Sequence, residues 1–175
     1  MKTAKCSTLS YTSMDAPTVG LLWLAATEQG LCAIEFGGEE AAFVKKLERH
    51  WGMAPQRDAQ PLAATVQQLQ EYLAGERQEF DLPLDMRSMR PFQKQVLAAT
   101  SAIPAGQYAT YQALALQIGK PRAMRAVGRA EATNPIPLVI PCHRVIGSDG
   151  SLRGYGGGLE MKSALLRLEG ALLAE

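Results

Sequence analysis

Residues 110–132, TYQALALQIGKPRAMRAVGRAEA, decide how the second half of this chain folds. Thr110 is suited to accept a hydrogen bond from the first turn of a helix. The spacing behind it predicts a short helix over 111–118, with Leu114, Leu116 and Ile118 as its apolar residues. Gly119-Lys120-Pro121 is a tight break, and Pro121 suits the first turn of a second helix over 121–132. In that second helix Ala123, Met124, Ala126 and Val127 are small or apolar. Two short helices joined by a glycine-containing turn fit a helix-turn-helix, and small residues in the second allow close approach to a backbone or groove. Arg122, Arg125 and Arg129 follow i, i+3, i+7 and share one face, with Lys120 just ahead. An ordinary αα-hairpin with a solvated basic face gives the same pattern, and this stretch alone does not separate the two.

The next segment, residues 134–147, reads NPIPLVIPCHRVIG. Pro135, Pro137 and Pro141 exclude a regular helix or a central strand, leaving an extended, rigid segment that presents Cys142-His143-Arg144. A cysteine attacks as the thiolate, which a nearby base or positive charge favours. Adjacent side chains of an extended segment point to opposite sides, so a bridging water or a turn would have to join Cys142 to His143. Glu169, near the middle of a final helix expected over 159–174, is the acid available to orient His143. The alternative is a buried, inert thiol, the usual fate of a free cysteine. Between them, Gly154-Tyr155-Gly156-Gly157-Gly158 lacks the Lys-Ser/Thr ending of a phosphate loop and reads as flexible closure over a site.

Upstream, the apolar runs 19–26 and 30–36 flank a Glu28-Gln29-Gly30 turn and predict a hairpin. Phe43, Val44 and Leu47 mark a helix over 40–50, and Leu62, Val66, Leu69 and Leu73 mark another over 62–74, stopped by Gly75. Residues 76–90 are polar and irregular and read as a linker, and Pro91 opens a helix through Phe92, Val96, Leu97 and Ile103. The expected organisation is therefore a small α+β domain over 1–85 and a mainly helical domain over 86–175.

With 175 residues, 47% hydrophobic and 20% charged, the chain has enough apolar material for packed cores, which excludes wholesale disorder. The net charge of +1 hides an asymmetry: residues 1–85 carry seven basic and twelve acidic side chains, and residues 86–175 carry eleven and five. Such asymmetry points to a polyanion site on the second half, or to chance between two solvated surfaces. The three cysteines, Cys6, Cys32 and Cys142, are odd in number and widely spaced, which argues against a disulfide framework. The first ten residues lack an apolar signal-like core, and no apolar run is long enough to span a bilayer. The expectation is a soluble protein of a reducing cytosol with no membrane partner. Cys6 and Cys32 read as structural and His50 as a solvated helix-end residue, and these three lack metal-ligand spacing.

The segment 134–147 closely resembles the active-site signature of the O6-alkylguanine-DNA alkyltransferases, also called methylated-DNA–protein-cysteine methyltransferases. Tyr111-Gln112-Ala113-Leu114-Ala115 and Arg125-Ala126-Val127-Gly128 resemble the family's helix-turn-helix, and Gly154 to Leu159 with Lys162 to Glu169 resemble its active-site loop and last helix. The match runs over roughly residues 91–170. The resemblance implies an N-terminal RNase H-like α/β domain followed by a helical domain with a winged-helix-like helix-turn-helix, α+β as a whole. It implies a cytoplasmic monomer, nucleoid-associated when bound, whose partner is double-stranded DNA containing O6-alkylguanine; activity on O4-alkylthymine and clustering of copies on DNA stay open. The base would be flipped out, and Cys142 would take the alkyl group irreversibly in a single turnover. His143 would act through a water as base for Cys142, with Glu169 orienting it. Tyr111 would donate toward the departing guanine, and Asn134 would brace the active-site turn against the recognition helix. Arg125 would fill the gap left by the base. Lys120, Arg122 and Arg129, with Ala123, Ala126 and Gly128, would face DNA, and Val145, Tyr155, Gly156 and Gly157 would line the substrate pocket. The family often has serine where Gly156 stands, so a donor to the alkylated oxygen is lost. Thr27 stands where zinc-binding relatives place a ligand, so no structural zinc is expected, and the reaction needs no cofactor.

Three other functions compete. A non-catalytic lesion binder of the same fold would lack the cysteine, and a helix-turn-helix regulator leaves Pro141-Cys142-His143-Arg144 unexplained. A cysteine hydrolase would turn over repeatedly on an acyl substrate.

Overall fold

The chain divides into two compact units, Met1–Ser88 and Met89–Glu175. The computed structural model describes residues 7–171, so Cys6 and the expected end of the last helix at Ala174 lie outside the described residues. Among the described residues no helix is long and apolar enough to cross a membrane.

In the first unit β1 (Leu9–Ala16), β2 (Gly20–Thr27) and β3 (Gly30–Phe36) run antiparallel. The hairpin expected from residues 19–36 is β2–β3. β1 was not visible as a strand in the sequence because its apolar residues, Leu9, Tyr11 and Met14, are separated by serine and threonine; they are buried once β1 pairs with β2. After α1 (Glu40–Trp51), β4 (Gln56–Arg57) adds in parallel to β1, giving the order β3-β2-β1-β4. α2 (Ala63–Leu73) follows. α1 contributes Phe43 and Leu47 to a core with Leu9, Tyr11, Trp23, Ala25 and Cys32. The Trp23 and Phe43 rings stack with centroids 6.0 Å apart.

The linker expected over 76–90 is in part fixed structure. Leu31 N–H donates to Pro83 O and Asp85 N–H donates to Leu31 O, each at 2.8 Å, so this stretch lies along β3. Asp85 is buried; Thr27 Oγ1 donates to it at 2.6 Å and Arg87 Nη2 pairs with it at 2.6 Å. Burial pushes the Asp85 carboxyl up, but the hydrogen bonds from Arg87 and Thr27 outweigh this and hold it below the usual carboxylate range. Polar composition misled here because the polar residues are the anchor.

The second unit begins with α3 (Pro91–Ser101), followed by β5 (Ala109–Thr110), α4 (Tyr111–Gln117) and α5 (Met124–Ala132). A single 3-10 turn, Cys142–Arg144, leads into β6 (Val145–Ile146), and α6 (Leu159–Leu168) closes the unit. Val96, Ala99 and Ile103 pack with Leu114, Ala115, Val127, Ala130 and Val145. Thr110 caps α4 as expected, its hydroxyl accepting from Ala113 N–H at 3.0 Å.

Two expected helix boundaries are corrected. α5 starts at Met124 and not at Pro121, because Ala123 N–H closes a turn onto Lys120 O and Ala123 itself sits at φ −92°, ψ 16°. Arg122 therefore precedes the helix, and only Arg125 and Arg129 share its face. α6 ends at Leu168, which puts Glu169 at its C-cap instead of mid-helix. Gly170, at φ +75°, turns the chain there: its N–H donates to Arg167 O while Ala171 N–H donates to Leu166 O, the paired bonds of a Schellman ending.

Gly30 tests the docking of residues 83–85. It sits at φ +140°, and a Cβ on it would lie 2.2 Å from Pro83 O. Gly30→Ala should destabilise the first unit by ~2–4 kcal/mol, measured by urea unfolding. An unchanged midpoint would mean that residues 83–85 are not held against β3.

Candidate active site

The short β5–β6 ladder pairs Ala109 with Val145 and Thr110 with Ile146. It thereby sets the first residue of α4, Tyr111, beside the turn that ends at Arg144. Cys142 and Tyr111 line one cavity of about 320 Å³, together with Gly128, Glu131 and Ala132 of α5 and Gly154, Tyr155 and Gly156 of the loop before α6. Of the expected pocket residues, Tyr155 and Gly156 are in this lining. Val145 is not: it is fully buried in the core, because β6 turns it inward. Gly157 is also outside the lining.

The turn carrying Cys142 is built from backbone constraints. Asn134 Nδ2 donates to Ile140 O at 2.9 Å, and Asn134 Oδ1 accepts from Ile136 N–H at 3.0 Å. Asn134 N–H in turn donates to Glu131 O at 3.1 Å, so this residue joins the end of α5 to the segment leading to the cysteine. Cys142-His143-Arg144 is a 3-10 turn and not extended, so consecutive side chains diverge by roughly 120° and are not opposed.

His143 is fully buried, and its Nε2 lies 2.8 Å from Glu169 Oε1. Arg144 reaches the same carboxylate, Nε to Oε2 at 2.9 Å and Nη2 to Oε1 at 2.8 Å, and its Nη1 donates to Ile103 O. Burial holds the His143 imidazole below its ordinary pKa against the opposing pull of Glu169, so the ring is neutral at pH 7.

Cys142 rests as the thiol and not as a thiolate. Burial pushes its thiol up to about 11, and nearby Glu131 adds to this; the hydrogen bond with Asn134 and the charge of Lys162 oppose it. Tyr111 is likewise raised, first by burial and then by Glu131 and Cys142, so its hydroxyl keeps its proton.

Two residues of the site escaped the sequence reading. Glu131 is 5% exposed; its Oε1 is bonded to the Thr100 hydroxyl, and Oε2 is buried with no hydrogen-bond partner among the described residues. Burial pushes its carboxyl up to about 7. The signal was available: 127, 130 and 131 fall on one helical face, so Glu131 shares the buried side with Val127 and Ala130. Lys162 is fully buried, Nζ donating to Val145 O at 2.6 Å and to Leu152 O, and burial lowers it to about 8.

Outside this cavity lies a second of about 300 Å³, lined by Tyr111, Met124, Arg125, Gly128, Gly147, Ser148 and Arg153. Tyr111 and Gly128 thus belong to both, and Arg125 stands at the outer one. Arg122, Arg129 and Ala126 are exposed and Ala123 is half-buried. Lys120, also exposed, lies over the Phe92 ring, 5.5 Å from its centroid. Among the described residues no group of three or more His, Cys, Asp or Glu is placed to hold a metal ion.

Residues 9–86 match the family profile of the 6-O-methylguanine DNA methyltransferase ribonuclease-like domain, and residues 91–171 match that of the DNA-binding domain of the same proteins. A methylated-DNA–protein-cysteine methyltransferase of Mycobacterium tuberculosis is 48% identical over 161 residues, 92% of each chain. The constitutive methylated-DNA–protein-cysteine methyltransferase of Bacillus subtilis is 38% identical over 160 residues, 91% of this chain and 94% of that one. The crystal structure of M. tuberculosis OGT in complex with DNA has a TM-score of 0.80 at 40% identity, covering 92% of both chains. With both units matched in order, this α+β chain belongs to the 6-O-methylguanine DNA methyltransferase family.

Proposed function

We propose that this chain repairs DNA by direct reversal, transferring the alkyl group of an O6-alkylguanine in duplex DNA to Cys142. The observation that carries the reading is the cavity of about 320 Å³ with Cys142 in its wall and Tyr111 beside it, within the size range of small-molecule sites. A base inside a duplex cannot reach such a site, so the damaged nucleotide must turn out of the stack. The exposed arginines of α5 and the turn before it supply the face for the phosphate backbone. That relatives at 38–48% identity are methylated-DNA–protein-cysteine methyltransferases supports the same substrate class. In this reading the chain acts as a cytoplasmic monomer, and O4-alkylthymine is the second lesion to try.

The chemistry follows from the resting protonation states. In an in-line displacement the sulfur–carbon bond forms as the bond from carbon to O6 breaks. The thiol, held at about 11, must give up its proton as the base arrives. Neutral His143 takes it through a water, and the imidazolium so formed faces the Glu169 carboxylate. Guanine leaves with an extra electron pair, and the protonated Tyr111 hydroxyl donates toward it, stabilising charge where it develops. The product thioether has no easy hydrolysis route, so each molecule reacts once. Arg125, at the outer cavity, fills the space left by the flipped base.

Incubation with a duplex containing O6-methylguanine should put one methyl on Cys142 and none on Cys6 or Cys32, read by peptide mass spectrometry. Cys142→Ser should abolish transfer and retain DNA binding; a methyl on another cysteine would refute the mechanism. Tyr111→Phe should slow single-turnover transfer by about 10²-fold with little change in affinity for undamaged DNA. Arg125→Ala should slow repair within a duplex far more than reaction with free O6-methylguanine, which needs no flipping. Equal slowing of both substrates would mean that Arg125 supports the fold or the cavity.

A further inference from the structure

We infer that Glu131 sets which adducts the cavity accepts: its carboxyl forms a wall that admits neutral alkyl groups and excludes anionic ones. The inference rests on the proposed alkyl transfer. It starts from a buried group that the reaction scheme does not use. Glu131 lines the cavity that holds Cys142, is 5% exposed, and leaves Oε2 buried without a partner among the described residues. Its other oxygen is committed, because Oε1 is bonded to Thr100 Oγ1, which also bonds Val96 O at 3.0 Å. Thr100 has a single hydroxyl proton for these two oxygens. The arrangement is satisfied when the carboxyl is protonated and donates from Oε1, leaving Oε2 as a bare, buried carbonyl oxygen in the residue that lines the cavity.

Such a wall is neutral when protonated and negative when ionised. In a buried cavity an ionised carboxylate repels a second anion strongly, since little solvent screens the pair. A methyl group feels none of this. The Glu131 carboxyl is placed at about 7 by burial, so its charge changes near neutral pH. The ionisable groups around it are Tyr111 of α4, Cys142 of the 3-10 turn and Lys162 of α6. Tyr111 and Cys142 act on both kinds of adduct through the shared chemistry and cancel in a ratio of rates. Lys162 does not cancel, but it loses its proton at about 8, above the Glu131 transition.

The test compares single-turnover rates on duplexes carrying O6-methylguanine or O6-carboxymethylguanine, whose carboxylate is ionised throughout. For the wild type, the preference for the methyl lesion should grow about three- to fourfold between about pH 6 and about pH 7.5, as Glu131 passes from mostly protonated to mostly ionised. In Glu131→Gln, which keeps the shape and the bond to Thr100 without the charge, the ratio should stay constant over that interval. Glu131→Met should do the same, and thermal unfolding of both variants checks that they fold. A wild-type ratio that does not change with pH overturns the inference even if neither variant folds, and so does a Gln variant whose ratio rises as much as the wild type's. Failure of the wild type to methylate Cys142 at either pH would instead refute the proposed function itself.

Discussion

The Glu169 carboxylate, buried at the end of α6, holds two side chains of the same three-residue turn, His143 and Arg144. Arg144 passes the constraint on to the turn that follows α3 through Ile103 O. A buried ion pair of this kind adds little net stability, because desolvation consumes most of the attraction, but removing one partner strands the other and costs about 3–5 kcal/mol. Its contribution is therefore positional. The turn cannot rotate without leaving a guanidinium unpaired in the core, and Cys142 at its head inherits that rigidity. Gly170 matters for the same reason: ending α6 there puts the carboxylate at the helix terminus, where it can face the turn.

The approach to Cys142 is constrained from the other side as well. Leu138 sits at φ +73°, a left-handed conformation that costs a non-glycine residue roughly 1–2 kcal/mol. The cost is offset locally: Leu138 is buried, Ile140 N–H donates to Ile136 O at 2.9 Å, and Asn134 bonds both Ile136 N–H and Ile140 O. Three prolines reduce the alternatives open to the unfolded segment, so less entropy is lost in forming the bend. Strain, proline and the Asn134 amide together leave one arrangement in which the thiol faces the cavity.

What was legible in the sequence follows from the range of the interactions. The Thr110 cap, the hairpin of β2 and β3 and the amphipathic faces of α1 and α2 are local, written at fixed spacings of a few residues. The short helix pair was also legible, apart from the start of α5, where the turn closed by Lys120 and Ala123 prevailed over the propensity of Pro121 to begin a helix. β1 and the anchoring of Asp85 are long-range, and each depends on a partner strand or side chain that no spacing announces. The site divides in the same way. Cys142, His143 and Glu169 could be named from chemistry and resemblance. Val145 stands outside the cavity lining because β6 turns it toward the core. Glu131 was passed over because an acid after four basic residues reads as surface charge, although its position relative to Val127 already put it on the buried face.

Burial is the common cause behind the site's electrostatics. It drives Cys142 up to about 11, Glu131 up to about 7, Lys162 down to about 8 and His143 below its ordinary value, in each case toward the uncharged form. Outside, Lys120, Arg122, Arg125 and Arg129 stay exposed. The unit therefore presents charge where a polyanion would lie and withholds it where a single uncharged base would enter. That division has a kinetic consequence for the proposed reaction. A standing thiolate would react with any small electrophile that diffused in, whereas a thiol near 11 reacts slowly until, in the proposed mechanism, a bound base brings its departing oxygen within reach of Tyr111. The cost is a slower intrinsic attack, which in the proposed mechanism is offset by transfer of the thiol proton to His143, with the Glu169 carboxylate facing the imidazolium.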